Sequence, residues 1–168
     1  MIEDKQTGDQ SPVRIRLANG GELSRVERLW VALYEHQRAN GMILELPPNA
    51  YEHWAASLKP LLGRFACLLV AEVEEEAIGF LVGRVRSLPQ YFGGYPVGFI
   101  SEVFTEDAHR GRGIGSRLVT QAVSWFEESG ISRVELQVII NNEGARKLYR
   151  RLGWRDELVQ MVWQKEPR

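Results

Sequence analysis

The pattern that decides the fold lies at residues 98–129, which read GFISEVFTEDAHRGRGIGSRLVTQAVSWFEES. Residues 98–104 are mostly apolar, with aromatic and β-branched side chains, which favours a strand. Residues 112–129 carry apolar side chains at helical spacing and are followed by Gly130, which predicts a long helix that ends at this glycine. The turn between them contains three alternating glycines, at positions 111, 113 and 115.

This turn, residues 109–116 (HRGRGIGS), has the chemistry of an anion site. Glycines at the start of a helix let the backbone approach a bulky anion closely. The free amides and the dipole of the first helical turn favour its negative charge. Arg110 and Arg112 add positive charge beside these amides. We therefore expect the turn to bind a pyrophosphate.

The same turn invites three other interpretations. A Walker-type phosphate loop needs a lysine followed by serine or threonine after the last glycine, whereas Gly115 is followed by Ser116 and Arg117, so this interpretation fails. A dinucleotide fingerprint G-x-G-x-x-G is nearly met, but residues 105–110 separate the strand from the first glycine, and a dinucleotide turn is tighter. A glycine-rich loop without a ligand is the minority interpretation, because two arginines accompany the glycines.

The remaining elements follow from apolar periodicity and from turn residues. Further strands are predicted at residues 13–17, 65–73, 77–85, 134–140 and 154–164. Further helices are predicted at residues 22–38, 50–61 and 143–152. The order is β, α, α, β, β, β, α, β, α, β.

This order predicts an α/β (α+β) fold. The strands at 98–104 and 134–140 flank the long helix, and a right-handed crossover makes such strands parallel. The other strands fit a mixed, mostly antiparallel sheet flanked by helices. Residues 1–12 are expected to form a flexible tail and residues 13–168 a single domain.

Composition limits the class of partner. The formal net charge is −1 and the pI about 6.3, so the 168-residue chain has no global field to attract nucleic acid. The single cysteine, Cys67, lies in an apolar run and is expected to be buried and inert. His36, His53 and His109 lack metal-ligand spacing, so no metal is expected.

Location is predicted from what the chain lacks. Its polar N-terminus has no apolar stretch of the signal-peptide kind, and no apolar run reaches the length of a membrane span. We expect a cytoplasmic protein without a membrane partner. The last predicted strand, with Val162 and Trp163, is where a homodimer contact would be sought.

Two motifs resemble those of one family. Arg110-x-x-Gly113-x-Gly115 resembles the R/Q-x-x-G-x-G/A signature of GNAT superfamily N-acetyltransferases, and the second motif, Asn142-x-x-Ala145-x-x-x-Tyr149-x-x-x-Gly153-Trp154, also matches. The element order agrees with that family along nearly the whole chain. The chain departs from the family at two positions, since Thr105 stands where Val is usual and Asp107 where Pro is common.

The resemblance implies the GNAT fold, with a six- to seven-stranded sheet, and acetyl-CoA as co-substrate. The backbone of the fourth strand would pair with the pantetheine arm, and Asn142 would contact the same arm while capping its helix. The implied coenzyme-binding residues are Val103, Phe104, Thr105, Arg110, Gly111, Arg112, Gly113, Ile114, Gly115, Ser116, Asn142, Ala145 and Tyr149.

The resemblance also implies transfer by direct attack of a primary amine. An alkyl amine with a pKa of about 10.4 arrives protonated at neutral pH, so a base is needed. Glu102 is the candidate, and an outward-facing strand residue is the equal alternative. Tyr149 is the candidate acid toward the coenzyme sulfur, and a purely structural core tyrosine is its alternative.

The acceptor itself is open, and both a small-molecule amine and a peptide amine fit. Its site is expected between the first two helices and the loop after the third strand, where aromatic residues such as Tyr91 and Phe92 would give it apolar character. Two rival functions stay open. One is a non-catalytic acyl-CoA-binding or sensor module on the same fold, and the other, more distant, is a nucleotide-dependent oxidoreductase.

Overall fold

The computed structural model describes residues 11–165, and within this range one sheet contains five strands in the order β1-β2-β3-β4-β5. They are β1 (Arg14–Ala18), β2 (Ala66–Val73), β3 (Glu76–Ser87), β4 (Pro96–Thr105) and β5 (Val134–Leu136). The α-helices are α1 (Glu27–Ala39), α2 (Ala50–Leu58), α3 (Ile114–Glu128) and α4 (Glu143–Arg151). β1 to β4 pair antiparallel, whereas β4 and β5 are parallel, which confirms the predicted β4-α3-β5 unit.

Helices cover both faces of the sheet, which is why β2 and β3 are almost continuously apolar and buried. α1 and α2 pack with one face of the sheet, through Leu29, Trp30 and Trp54 against Phe80. α3 packs on the other face with Phe126. It lies very close to the strands, since a Cβ added at Gly98 would come within 2.8 Å of the Phe126 ring.

A β-bulge interrupts the pairing of β3 with β4. Val82 pairs with Glu102, but the next residue, Gly83, pairs with Ile100, so Ser101 has no partner on β3. An extra residue in one strand reverses the side-chain alternation beyond it. Ile100 accordingly packs on the α3 face, whereas Glu102 hydrogen-bonds to Trp54 on the α1/α2 face.

β4 and β5 separate after a short contact. Only Gly98, Phe99 and Ile100 pair with β5, which ends at Leu136, while β4 continues to Thr105. The strand predicted at 134–140 is therefore shorter than expected. The edge of β4 from Ser101 to Thr105 has no partner strand on this side within the described range, and a cleft opens there.

The prediction of a strand at residues 154–164 is wrong, and so is the predicted count of six to seven strands. Residues 154–165 have no regular structure, and Leu158, Met161 and Trp163 are exposed. The alternating pattern was present, but a strand also needs a backbone partner. This segment contacts the residues that flank β5 through side chains. Arg133 forms an ion pair with Glu157, and Nε2 of Gln137 donates a 3.3 Å hydrogen bond to Oε1 of Gln160.

The predicted tail, residues 1–12, falls almost wholly outside the described residues. Ser11 is described, and its hydroxyl donates a 2.6 Å hydrogen bond to Oε1 of Glu74. Among the helices of residues 11–165, none combines the length and the apolar composition needed to cross a bilayer.

Candidate active site

The cleft between the separating strands has a volume of about 890 Å³. One wall is the free edge of β4, and the other comprises residues 137–139 and α4. The N-terminus of α3 closes one end, and α1 contributes a third side. Of the predicted site residues, those that line it are Val103, Phe104, Thr105, Arg110, Gly111, Gly113, Ile114, Gly115, Ser116, Asn142, Ala145 and Tyr149.

The N-terminus of α3 is an open set of hydrogen-bond donors. Its N-cap, Gly113, has φ of 74° and lacks a capping side chain, and Gly111 has φ of 78°. Within residues 11–165, the amides of residues 111–116 find no protein acceptor. In contrast, the side chain of Asn142 caps α4 by accepting a 3.1 Å bond from the amide of Ala145. Uncapped amides at a helix N-terminus form a site for an anion.

The two arginines of the turn differ in position. Arg110 lines the cleft, where its Nε donates a 3.1 Å hydrogen bond to the carbonyl of Thr105 and its guanidinium pairs with Asp107 at 2.9 Å. Arg112 is absent from the lining of the cleft; its Nη1 lies 3.0 Å from Nδ1 of His109, and its Nη2 donates a 3.4 Å bond to the carbonyl of Ser11. The turn thus offers one arginine to a ligand in the cleft instead of two.

Tyr149 packs in the core and also lines the cleft, so its position is compatible with either interpretation of its role. Its side chain is 9% exposed, and its ring centroid lies 6.0 Å from that of Trp154. Burial raises the pKa of its hydroxyl to about 12. The phenol therefore stays protonated at neutral pH and is a hydrogen-bond donor.

Glu102 does not line the cleft and lies directly behind it. It is 6% exposed, and Oε1 accepts a 3.0 Å hydrogen bond from Nε1 of Trp54. The hydroxyl of Ser101, which does line the cleft, donates to Oε2. Burial raises the pKa of Glu102, although Ser101 and nearby Arg84 oppose that shift. The outward-facing alternative is thus wrong, and the carboxylate is hydrogen-bonded to a residue that lines the cleft.

The first helix was expected to help form the acceptor site, but sequence reasoning missed which of its residues line the cleft and missed the bulge. The cleft is lined by Leu33, His36 and Gln37 of α1 and by its C-cap, Asn40, and the ring centroid of His36 lies 6.4 Å from that of Phe104. These residues follow an i, i+3, i+4, i+7 spacing, which is a detectable signal. It was overlooked because three of the four are polar, and the apolar stripe of the same helix dominated the pattern.

The loop after β3 was expected to supply aromatic residues to the acceptor site. Tyr91, Phe92 and Tyr95 are exposed and lie outside the lining of the cleft. Among the described residues, no three His, Cys, Asp or Glu side chains are grouped so that they could hold a metal ion.

Comparison with known proteins identifies relatives among the acetyltransferases. Residues 26–154 match the acetyltransferase (GNAT) family model. An uncharacterized N-acetyltransferase of Archaeoglobus fulgidus is 34% identical over 138 residues, which cover 82% of this chain and 89% of that protein. The N-alpha-acetyltransferase MAK3 of Arabidopsis thaliana is 38% identical over 79 residues, or 47% of this chain. The chain spans only 40% of the length of MAK3.

The fold has solved counterparts. Aminoglycoside N-acetyltransferase AAC(6')-Iy, solved in complex with CoA, superimposes with a TM-score of 0.74 at 19% identity, covering 96% of this chain and all of that one. At this identity the likeness concerns the fold. Together with the family match over most of the chain, it leads to one conclusion: the protein belongs to the acetyltransferase (GNAT) family.

Proposed function

We propose that the protein is an N-acetyltransferase that moves the acetyl group of acetyl-CoA onto a primary amine by direct attack. One observation carries the proposal. The uncapped amides of α3 lie at one end of a cleft whose wall is the unpaired edge of β4, and this wall leads to Ser101 with the buried Glu102 behind it. The cleft thus joins an anion site to an acid–base site.

The chain's own groups fit coenzyme A. The amides of residues 111–116 would hold its pyrophosphate, and a Cβ at Gly111 or Gly113 would meet no protein atom within 4 Å, which leaves room for a ligand. Arg110 would add one charge. The free edge of β4 from Val103 to Thr105 offers backbone groups to the pantetheine amides, in the manner of an added strand. Bound acetyl-CoA supplies the activated acyl group.

Glu102 would act as the base through Ser101. The serine hydroxyl would take the proton of the incoming amine while it gives its own to the carboxylate, so the amine nitrogen gains the lone pair that forms the new C–N bond. A raised pKa brings the carboxyl nearer to neutral pH, where a general base is most effective. After the C–N bond forms, the nitrogen releases its second proton to solvent, and the C–S bond breaks with its electron pair leaving on sulfur as the CoA thiolate.

Tyr149 would stabilise the departing sulfur as a hydrogen-bond donor. Its pKa of about 12 lies above the value of about 8.5 typical of a thiol, so complete transfer of its proton to the thiolate is uphill. A donated hydrogen bond to a developing charge does not need that transfer.

Direct attack is favoured over an acyl-enzyme. The single cysteine, Cys67, is 2% exposed, and burial raises its pKa to about 11. A thiol this buried is held in its unreactive protonated form.

The test is release of free CoA from acetyl-CoA against amines, aminoglycosides, amino acids and short peptides, together with calorimetric binding of acetyl-CoA and NADH. Release that depends on one amine class supports the proposal. Binding of acetyl-CoA without release for any acceptor would favour the non-catalytic acyl-CoA module, and a preference for NADH would contradict both.

A further inference from the structure

Two arginines of β3, Arg84 and Arg86, lie next to β4, although neither is among the residues that line the cleft. Arg84 pairs with Phe99 and Arg86 with Val97, so both stand next to the part of β4 that precedes the bulge at Ser101. The guanidinium of Arg86 lies 3.3 Å from the centroid of the Phe99 ring. Ile100 and Ser101, the next residues of β4, already line the cleft.

Neither arginine has an anionic partner in contact. Within residues 11–165, Arg84 and Arg86 form no salt bridge and donate no side-chain hydrogen bond, although Arg84 is half-buried. Most other buried or half-buried cations of the chain are paired, as Arg16 is with Glu22 at 2.6 Å. A guanidinium that gives up water without gaining an acceptor is costly to the fold.

The carboxylates nearby do not balance these charges. Glu102 is the buried carboxylate that acts electrostatically on Arg86, and Glu135 also acts on it. Glu135 is already ion-paired with Nε of Arg133 at 2.6 Å. Arg86 is exposed to solvent, whereas Arg84, the half-buried guanidinium of the two, has no carboxylate in contact with it.

The surroundings of Arg84 are rich in hydrogen-bond donors and poor in acceptors. Tyr34 packs on Trp30, with ring centroids 4.4 Å apart, and its hydroxyl makes no hydrogen bond within the described range. Tyr34 packs against the core cluster that contains Val82, the β3 residue that pairs with Glu102, and Arg84 lies two residues farther along the same face of β3. The one strong acceptor, Glu102, is taken up by Trp54 and Ser101.

We propose that the acceptor is an amine that carries a carboxylate a few bonds from its nitrogen, as an α-amino acid does, and that Arg84 binds this carboxylate while the amine lies at Ser101. The inference rests on the proposed function and names its substrate class. A guanidinium offers paired donors to a carboxylate, and Tyr34 adds a third. The opposite charges of Glu102 and Arg84 complement the two charges of a zwitterion.

This proposal separates the chain from two kinds of relative. A polycationic acceptor such as an aminoglycoside needs carboxylates, and here it would meet Arg84 and Arg86. A peptide N-terminus presents an amide where an amino acid presents its carboxylate, so it leaves the guanidinium of Arg84 without a partner.

The experiment compares each α-amino acid with its amide, since the two differ in the carboxylate and share the amine. With the full chain and saturating acetyl-CoA, we expect kcat/KM for the acid to exceed that for the amide by at least about tenfold, mainly through KM. Arg84→Gln should abolish this ratio. A change in the reactivity of Glu102 would affect the acid and the amide equally, so it cancels in this ratio. The ratio therefore reports on the contact with the carboxylate alone.

Arg64→Gln is the matched control. Arg64 is also a cation over an aromatic ring, 4.8 Å from the centroid of Phe65, but it is exposed and lies in the turn before β2. It should keep the wild-type ratio of acid to amide. The proposal would be overturned by a ratio of acid to amide near one in the wild type. An equal fall of this ratio in Arg84→Gln and in Arg64→Gln would also overturn it.

A binding measurement keeps the inference testable without turnover. N-acetylglycine and N-acetylglycinamide are titrated into the CoA-loaded protein, and the acid should bind at least about tenfold more tightly in the wild type and equally in Arg84→Gln. Equal binding, or no binding of either probe, overturns the inference. If acetyl-CoA binds and amides are acetylated as well as acids, the proposed function stands and only the carboxylate site fails.

Discussion

The indole Nε1 of Trp54 donates a 3.0 Å hydrogen bond to Oε1 of Glu102, and this bond joins α2 to the bulge of β4. It fixes one carboxylate oxygen away from the cleft and leaves the other to Ser101. A buried carboxylate must be hydrogen-bonded to be tolerated, and here both bonds also orient it. The orientation of the proposed base thus depends on a helix that contributes nothing to the lining of the cleft.

Glu102→Gln should change how stability depends on pH. Burial raises the pKa of Glu102 above its ordinary value of 4.5, so the folded protein keeps a proton that the unfolded chain releases. The resulting stability is present below pH 4.5 and is lost as the pH rises toward the folded pKa. Relative to wild type, the variant should therefore gain free energy of unfolding as the pH rises, measured by urea denaturation.

Glu22→Gln is the control with the opposite sign. The hydrogen bond from Arg16 lowers the pKa of Glu22 to about 2, so its contribution is present above pH 4.5 and is lost as the pH falls toward 2. This variant should lose free energy of unfolding relative to wild type as the pH rises through that window. Slopes of the same sign for both variants would contradict the assignment.

Trp54→Phe should move the acid limb of the rate profile. The indole bond favours the ionised form of Glu102, so its loss raises the pKa of the carboxyl further and shifts the acid limb of kcat/KM to higher pH. Lost packing should also cost about 1–3 kcal/mol of stability. The profile is measured with the amine that the acceptor screen identifies.

Trp30→Phe supplies the comparison for that variant. Trp30 is 3% exposed, and its Nε1 has no hydrogen-bond partner in the described part of the chain. The substitution should cost a similar amount of stability and leave the acid limb where it is. An equal shift in both variants would mean that packing, and not the indole bond, sets the pKa of Glu102.

Gly113→Ala should weaken acetyl-CoA binding. Gly113 has φ of +74° and lines the cleft, so a methyl group costs about 1–2 kcal/mol of strain and also stands in the proposed pyrophosphate site. We expect KM for acetyl-CoA to rise at least about tenfold. Gly130→Ala adds a methyl at φ of +75° beyond the other end of α3. It should lose similar stability and keep the wild-type KM, and a matching rise there would refute the site.

Tyr149→Phe should lower kcat by about 10- to 100-fold, the value of one hydrogen bond to a charged group, and leave KM for acetyl-CoA nearly unchanged. Stability should change little, because this hydroxyl makes no hydrogen bond within residues 11–165. Tyr51→Phe removes a hydroxyl that donates a 2.6 Å bond to the carbonyl of Leu23. That control should cost about 1 kcal/mol of stability and keep kcat. Comparable kcat values for both variants would assign Tyr149 to the core alone.

Much of the geometry at the proposed coenzyme end of the cleft was predictable from the chain. The glycines of residues 111–116 indicate the start of a helix. The amides of such a turn lack intrahelical hydrogen-bond acceptors because of local geometry alone. The motif also predicted the positions of Asn142 and Tyr149 on α4, because helical spacing is a local property. Arg112 was the exception, since a side chain's direction at a turn depends on its neighbours, here His109.

The sequence by itself determined the order of elements from β1 to α4, the parallel β4-α3-β5 unit and the glycine turn, because short-range sterics and apolar periodicity fix these. The tertiary structure decided which face Glu102 occupies, since the bulge at Ser101 arises from pairing with β3 and reverses the alternation read from β4 alone. It also decided that residues 154–165 form no strand. Alternation needs only neighbouring residues, whereas a strand needs backbone partners that distant segments must supply.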